Sequence, residues 1–181
     1  MVFAQQTLHI TSTTLQRMFL LRPDAVVNQV LLYCLFRAAD EYGVLVHSVF
    51  VASNHVHMVV TDTRGKVSDF MHWFSMMSAK NLIAYYQQQY PEVHLEGIWS
   101  KQPFNAPVLA NANAVIEAIA YDITNPVKDG LVRDFRDWPG VCSRPHGWTQ
   151  PARKVERPKG LAFNDRDKNH REVTAKFTVP P

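Results

Sequence analysis

Cysteine is scarce in this chain: two in 181 residues, Cys34 and Cys142, lying far apart. Without C-x-x-C or similar spacing they make no metal knuckle, and they read as reduced thiols of a cytoplasmic protein. Long apolar runs are missing too. The longest, Val30 to Phe36, falls far short of the roughly 20 residues a bilayer-spanning helix needs. Met1 to Ile10 lack the basic-then-apolar order of an export signal, so a soluble, non-exported protein is expected. There is no H-E-x-x-H and no internal repeat, which removes the commonest zinc hydrolase signature and the repeat architectures.

With 46% apolar residues the chain can bury a sizeable core, and one domain over 1–149 with an extension over 150–181 is the natural division. The net charge of +3 is unevenly spread. Residues 1–150 hold 11 Lys/Arg against 12 Asp/Glu, or −1, whereas 151–181 hold 8 against 4, or +4. A nearly neutral body argues against tight nonspecific polyanion binding; positive potential there must come from local patches or a bound metal.

Periodicity gives alternating strands and helices. Thr7 to Thr14 reads as an opening strand. Pro23 and Asp24 suit a helix first turn, after which Val27, Val30, Leu31, Cys34, Leu35 and Ala38 recur at three- and four-residue steps, with Gly43 as the stop. Leu45 to Ala52 and His55 to Thr61 form a hairpin around Ser53-Asn54. Phe70, Phe74, Met77, Leu82 and Tyr85 mark a second helix ending before Pro91. Short strands are expected at 94–100 and 106–109, then a helix from Ala112 to Ile123 closed by Pro126. The fold expected is α+β: a ferredoxin-like antiparallel sheet with helices on one face. Gln150 to His170, polar and broken by Pro151, Pro158 and Gly160, reads as loosely packed, and Val173 to Val179 as a strand that could join the sheet.

Two motifs carry chemistry. In a strand, residues i and i+2 share a face, so His55 and His57 of Ser53-Asn54-His55-Val56-His57 can close on one metal while Val56 faces the core. In a helix, residues four apart share a face, so Tyr121 and Asn125 can be presented together. Taken singly, each has a plainer reading: a partly buried histidine pair, a packed tyrosine ring, a helix stop at Asn125-Pro126. The joint pattern, S-N-H-V-H followed by Tyr121-x-x-x-Asn125-Pro126-Val127-x-x-Gly130-Leu131-Val132 and Asp137-Trp138-Pro139, resembles the HUH single-tyrosine transposases, especially the REP-associated branch, over residues 7–148.

That resemblance implies an HUH endonuclease fold and a reaction on single-stranded DNA, often an imperfect hairpin. It implies a divalent cation, Mg²⁺ or Mn²⁺, held by His55, His57 and Asn125, with Tyr121 as nucleophile forming a 5′-phosphotyrosine, and a homodimer. A phenol of pKa near 10 is a weak nucleophile at neutral pH, so polarisation of the phosphate supplies what it lacks. His9 is assigned no role. For DNA contact the candidates by residue type are Arg17, Arg22, Lys80, Trp99, Lys101 and Lys128, with Trp73, Tyr85, Tyr86, Phe104 and Arg133 behind them. Two other readings stand beside this one. They are a hairpin-binding protein that no longer transposes, and a metal hydrolase unrelated to DNA.

Overall fold

The computed structural model describes residues 4–144, 146–163 and 170–181. In chain order its elements are β1 (Gln6–Thr13), α1 (Ala25–Tyr42), β2 (Val44–Val51), β3 (His55–Asp62), α2 (Val67–Gln89), α3 (Ala112–Lys128), β4 (Arg153–Glu156) and β5 (Glu172–Ala175). Strands β1, β3 and β2 form one antiparallel sheet with β3 central. Strand alternation divides its side chains into two sets. Leu8, Ile10, Val56, Met58 and Val60 enter the main core with α1 and α2, while Val59 packs with Val115, Ala118 and Ile119 of α3. So α1 and α2 share one face, as the ferredoxin-like pattern requires, and α3 lies across the other.

Local chemistry explains the helix ends. Asp24 accepts the Val27 N–H at 2.7 Å, and Gly43, at φ 69°, takes the left-handed conformation that closes α1. Lys66 offers α2 no side-chain cap. Asp62, fully buried at the end of β3, does so instead: Oδ1 accepts from the Arg64 and Lys66 amides and Oδ2 from Val67 at 2.7 Å. One carboxylate thus joins the central strand to the start of the next helix.

Three expectations change. Pro126 does not end α3, which runs on to Lys128. In the last turn the missing proline N–H costs a single hydrogen bond, and the Asp129 amide still reaches the Asn125 carbonyl at 2.9 Å. The short strands at 94–100 and 106–109 become isolated bridges: Trp99 to Thr14 just past β1, and Asn105 and Val108 to Thr11 and Leu8 within it; in the second segment Pro107 cannot donate to a ladder. The 150–170 segment is not loose where it is described, residues 164–169 lying outside the described set. Strand β4 pairs with β5, not with the main sheet, and Val155, Phe163, Val173 and Ala175 enter the main core beside α1. Phe163 meets Tyr33 edge-on at 5.1 Å. Past β5 the chain meets the sheet at Thr178, whose amide donates to the Val46 carbonyl and whose carbonyl accepts from His47 Nδ1.

Replacing Asp62 with Ala strands three backbone donors at a buried helix start. Chemical denaturation should show a loss of about 3 kcal/mol, and Asp62→Asn a smaller one.

Candidate active site

The face of β3 that carries Val59 also carries His55 and His57. Cross-strand pairing sets Thr11 and Phe50 opposite His57, and Thr13 opposite His55. A bulge in β2 matters here. The register slips between Val46 and Ser48, leaving His47 as the extra residue. Beyond the slip the alternation is reversed, so that Ser48 and Phe50 join the histidine face while Val49 and Val51 enter the main core. Regular pleating would have sent Ser48 and Phe50 the other way.

The two motif histidines are held similarly. His55 donates Nδ1–H to Asn54 Oδ1 at 2.7 Å, an oxygen that can only accept, which leaves Nε2 with a free lone pair. His57 Nδ1 lies 3.0 Å from the Thr11 hydroxyl, which can accept in the same way. An imidazole anchored through one nitrogen by an oxygen partner is how a metal-ligating histidine is oriented. The rings lie 4.8 Å apart. A cavity of about 200 Å³ opens over them, lined by Thr11, Thr13, Arg17, Asn54, His55 and His57.

Helix α3 completes the cluster. Tyr121, 40% exposed, presents its ring edge to His57 at 5.5 Å, with the Lys128 ammonium 4.7 Å over the ring centre. One residue on, Asp122 is wholly buried: Oδ1 accepts from His9 Nε2 at 2.9 Å and Oδ2 from Ser48 Oγ at 2.6 Å. His9 stacks on His57 at 5.5 Å and meets Tyr121 edge-on at 6.2 Å. Asn125 is 1% exposed, and its Oδ1 is buried without a hydrogen-bond partner. A buried, unpartnered amide oxygen is costly, and its lone pairs are those of a hard-cation ligand.

Donor chemistry at the imidazoles therefore fits a divalent cation; Asn125 is of the right donor type but is not among the residues lining the histidine cavity. His9, His57 and Asp122 offer ligand atoms within 4.8 Å of one another, a trio that itself suits such an ion. Asp122 already receives two hydrogen bonds, whereas Nε2 of His55 and Oδ1 of Asn125 have no such commitment. The sequence reading assigns a role to neither His9 nor Asp122. A lone histidine on β1 and an aspartate beside a tyrosine carry no spacing signal, because they are 113 residues apart and meet only across the sheet.

The residues chosen for DNA contact are scattered. Arg17 lines the histidine cavity and Lys128 covers Tyr121. Arg22, Lys80 and Lys101 are exposed, and Trp99 is packed on Phe74 with its N–H on Ser78 Oγ. The phenols of Tyr85 and Tyr86 serve the fold, donating to Asp24 Oδ2 and the Leu20 carbonyl; burial and the Asp24 charge push Tyr86 up to about 12.

With this geometry in view, comparison with known proteins is informative. The family described as Transposase IS200 like matches residues 2–119. The chain belongs to that family. Its match takes in His9, His55 and His57 and stops just short of Tyr121. Among solved structures, a REP-associated tyrosine transposase bound to a REP hairpin superposes with a TM-score of 0.60 at 19% identity, covering 77% of this chain and 78% of that one. That likeness establishes the shared HUH-type fold. A candidate transposase from Deinococcus radiodurans reaches a TM-score of only 0.46 at 16% identity, over 66% of this chain and 89% of that one, too weak to carry weight. No curated protein matches. No helix among the described residues is long and apolar enough to cross a membrane.

Burial, and then the neighbouring histidines His55 and His9, hold the imidazole of His57 down at about 4; burial likewise lowers His47 and His55. Unfolded, these groups titrate near 6.5. Between those values the unfolded chain binds more protons, so the stability of metal-free protein should fall as pH drops from 6.5 toward 4. Urea melts across that range should show this slope, and His57→Gln should flatten it.

Proposed function

We propose that this transposase-family protein is a divalent-metal-dependent enzyme that nicks and rejoins single-stranded DNA, hairpin DNA being its substrate, through a 5′-phosphotyrosine at Tyr121. The observation that carries the reading is the placement of a half-exposed phenol edge-on to a histidine whose outer nitrogen is free, beside a second histidine of the same kind. Standing 40% exposed beside such a pair, the phenol is open to a substrate from solvent.

His55, His57 and Asn125 would hold the ion, which supplies Lewis-acid polarisation of the scissile phosphate. The chain does the rest. Tyr121 Oη attacks phosphorus, the bond to the 3′ oxygen breaks, and that oxygen leaves as a free 3′-OH once protonated. Asp122 accepts from His9 Nε2, so Nδ1 of His9 is the free nitrogen and takes the phenol proton. Lys128 over the ring favours the phenolate as it forms and again as it departs when a 3′-OH attacks in the reverse step. Arg17, in the same cavity, steadies the phosphate. The phosphodiester energy is stored in the phosphotyrosine, so rejoining needs no nucleotide hydrolysis. Two copies would allow two strand ends to be exchanged, with residues 1–149 as the catalytic unit and 150–181 as an appended segment.

The trio His9, His57 and Asp122 supports a second ligand set for the ion. Mn²⁺ titration followed by its paramagnetic signal separates the two, independently of activity. Under the first assignment His55→Ala and Asn125→Ala weaken binding at least tenfold and His9→Gln does not; the reverse pattern selects the trio.

Incubation with labelled hairpin DNA and Mn²⁺ should give a denaturant-resistant adduct that Tyr121→Phe and His55→Ala/His57→Ala abolish. Lys128→Met should slow its formation about two- to fivefold, the scale of one exposed cation–π contact. Hairpin binding with no adduct under either metal would favour a binding protein that has left transposition behind. Absence of binding as well would sink the nucleic-acid reading.

A further inference from the structure

A second cavity, of about 450 Å³, lies between α1, the 140–151 loop and the β4–β5 hairpin. Its apolar wall includes Leu32, Val141 and Phe177, and three cations border it: Arg144, Arg153 and Lys176. No Asp or Glu is among the described residues lining it. Elsewhere on the surface, cations pair directly with acids, as in Lys154 with Glu172, Arg136 with Asp134, Arg37 with Glu41 and Lys66 with Asp69. Of the three, Arg144 donates to the Phe135 carbonyl at 3.2 Å and lies close enough to Asp134 to lower its pKa, and Lys176 also borders a groove that holds Asp40. The fold itself brings the three together. Alternation in β4 puts Arg153, itself exposed, on the side of the buried Val155, while Lys154 turns to Glu172 on the other. Lys176 follows the buried Ala175, and Arg144 follows Ser143, whose amide is fixed to the Val49 carbonyl on β2.

We propose that this cavity binds a nucleotide unit, the phosphate against Arg144, Arg153 and Lys176 and the base on the wall of Leu32, Val141 and Phe177. Three like charges around one concavity repel unless an anion joins them, and guanidinium forks suit phosphate oxygens. Phe177 stands edge-on to Phe36 at 5.4 Å, which holds its ring in place as one side of a slot for a flat base. The volume lies in the range of small-ligand sites. The nucleotide comes either free or as part of a strand. The second source rests on the strand-cleaving reading and has a route: the cavity wall at Gly140 to Cys142 directly follows Trp138, which packs on Phe50, whose ring in turn meets His55 at 6.3 Å.

The test is titration of isotope-labelled full-length protein with a deoxynucleoside 5′-monophosphate, with inorganic phosphate and with an unstructured decathymidylate, without metal. Saturable shifts of the Val141 and Phe177 amides are expected with the mononucleotide or the decamer. Affinity should fall at least tenfold in Arg153→Glu/Lys176→Glu and less than twofold in Lys159→Glu/Arg171→Glu. Gln150→Trp, at an exposed position on the rim, should block the cavity without touching its charges. Binding of the mononucleotide assigns the free source, and binding of the decamer alone assigns the strand. Equal losses in both charge reversals, response to phosphate as strong as to nucleotide, or no shift with either ligand would overturn the proposal. An absent tyrosine adduct with nucleotide binding intact would count against the strand-cleaving reading alone.

Discussion

The Asp122 carboxylate is the constraint on which the candidate site depends. It is fully buried on α3 and bridges His9 of β1 to Ser48 of β2. A buried charge is tolerated only when its lone pairs are used, so this group holds α3 at one rotation and one height over the sheet. Tyr121 is the preceding residue. Fixing Asp122 inward therefore sets the phenol at the edge of the cluster, beside His57 and His9 and partly open to solvent. Apolar contacts of Val115, Ala118, Ile119 and Ile123 supply adhesion, but grease alone would allow α3 to slide or turn.

That bridge needs Ser48 on the histidine face, and the bulge at His47 is what puts it there. His47 is itself anchored: Nε2 is 2.7 Å from Thr61 Oγ1, and Nδ1 reaches the Thr178 carbonyl at 2.9 Å. The chain's last segment therefore touches the very residue that reverses the pleat. Burial lowers the pKa of that imidazole, outweighing the hydrogen bond to Thr178, which raises it. The C-terminal segment takes part in the core and in the strand geometry behind the site, so its separation at 150 marks a change in composition more than a change in packing.

The residues of β3 and α3 were legible because strand and helix periods are local. His55 and His57 had to share a face, Val56 had to turn to the core, and Tyr121 and Asn125 had to lie along one side of a helix. The apolar stripe of α1 and its Gly43 stop were equally readable, while Asp24, expected in the first turn, is instead the residue that caps it. Less visible were the edges: two expected strands are only isolated bridges, and the few apolar side chains of the tail, Val155, Phe163 and Val173, were hidden among charges although they enter the main core.

By itself, then, the sequence determined which side chains share a face in β3, α1 and α3, roughly where those elements lie, and which family pattern they match. Each of these is decided within a few residues by backbone period, capping and turn chemistry. The tertiary structure alone decided that α3 crosses the histidine face, that His9 and Asp122 meet from 113 residues apart, and that one extra residue in β2 turns Ser48 toward them. It also decided that Arg144, Arg153 and Lys176 converge on one cavity. Such contacts follow from where whole elements pack, and a pairing across the sheet leaves no period in the chain that makes it.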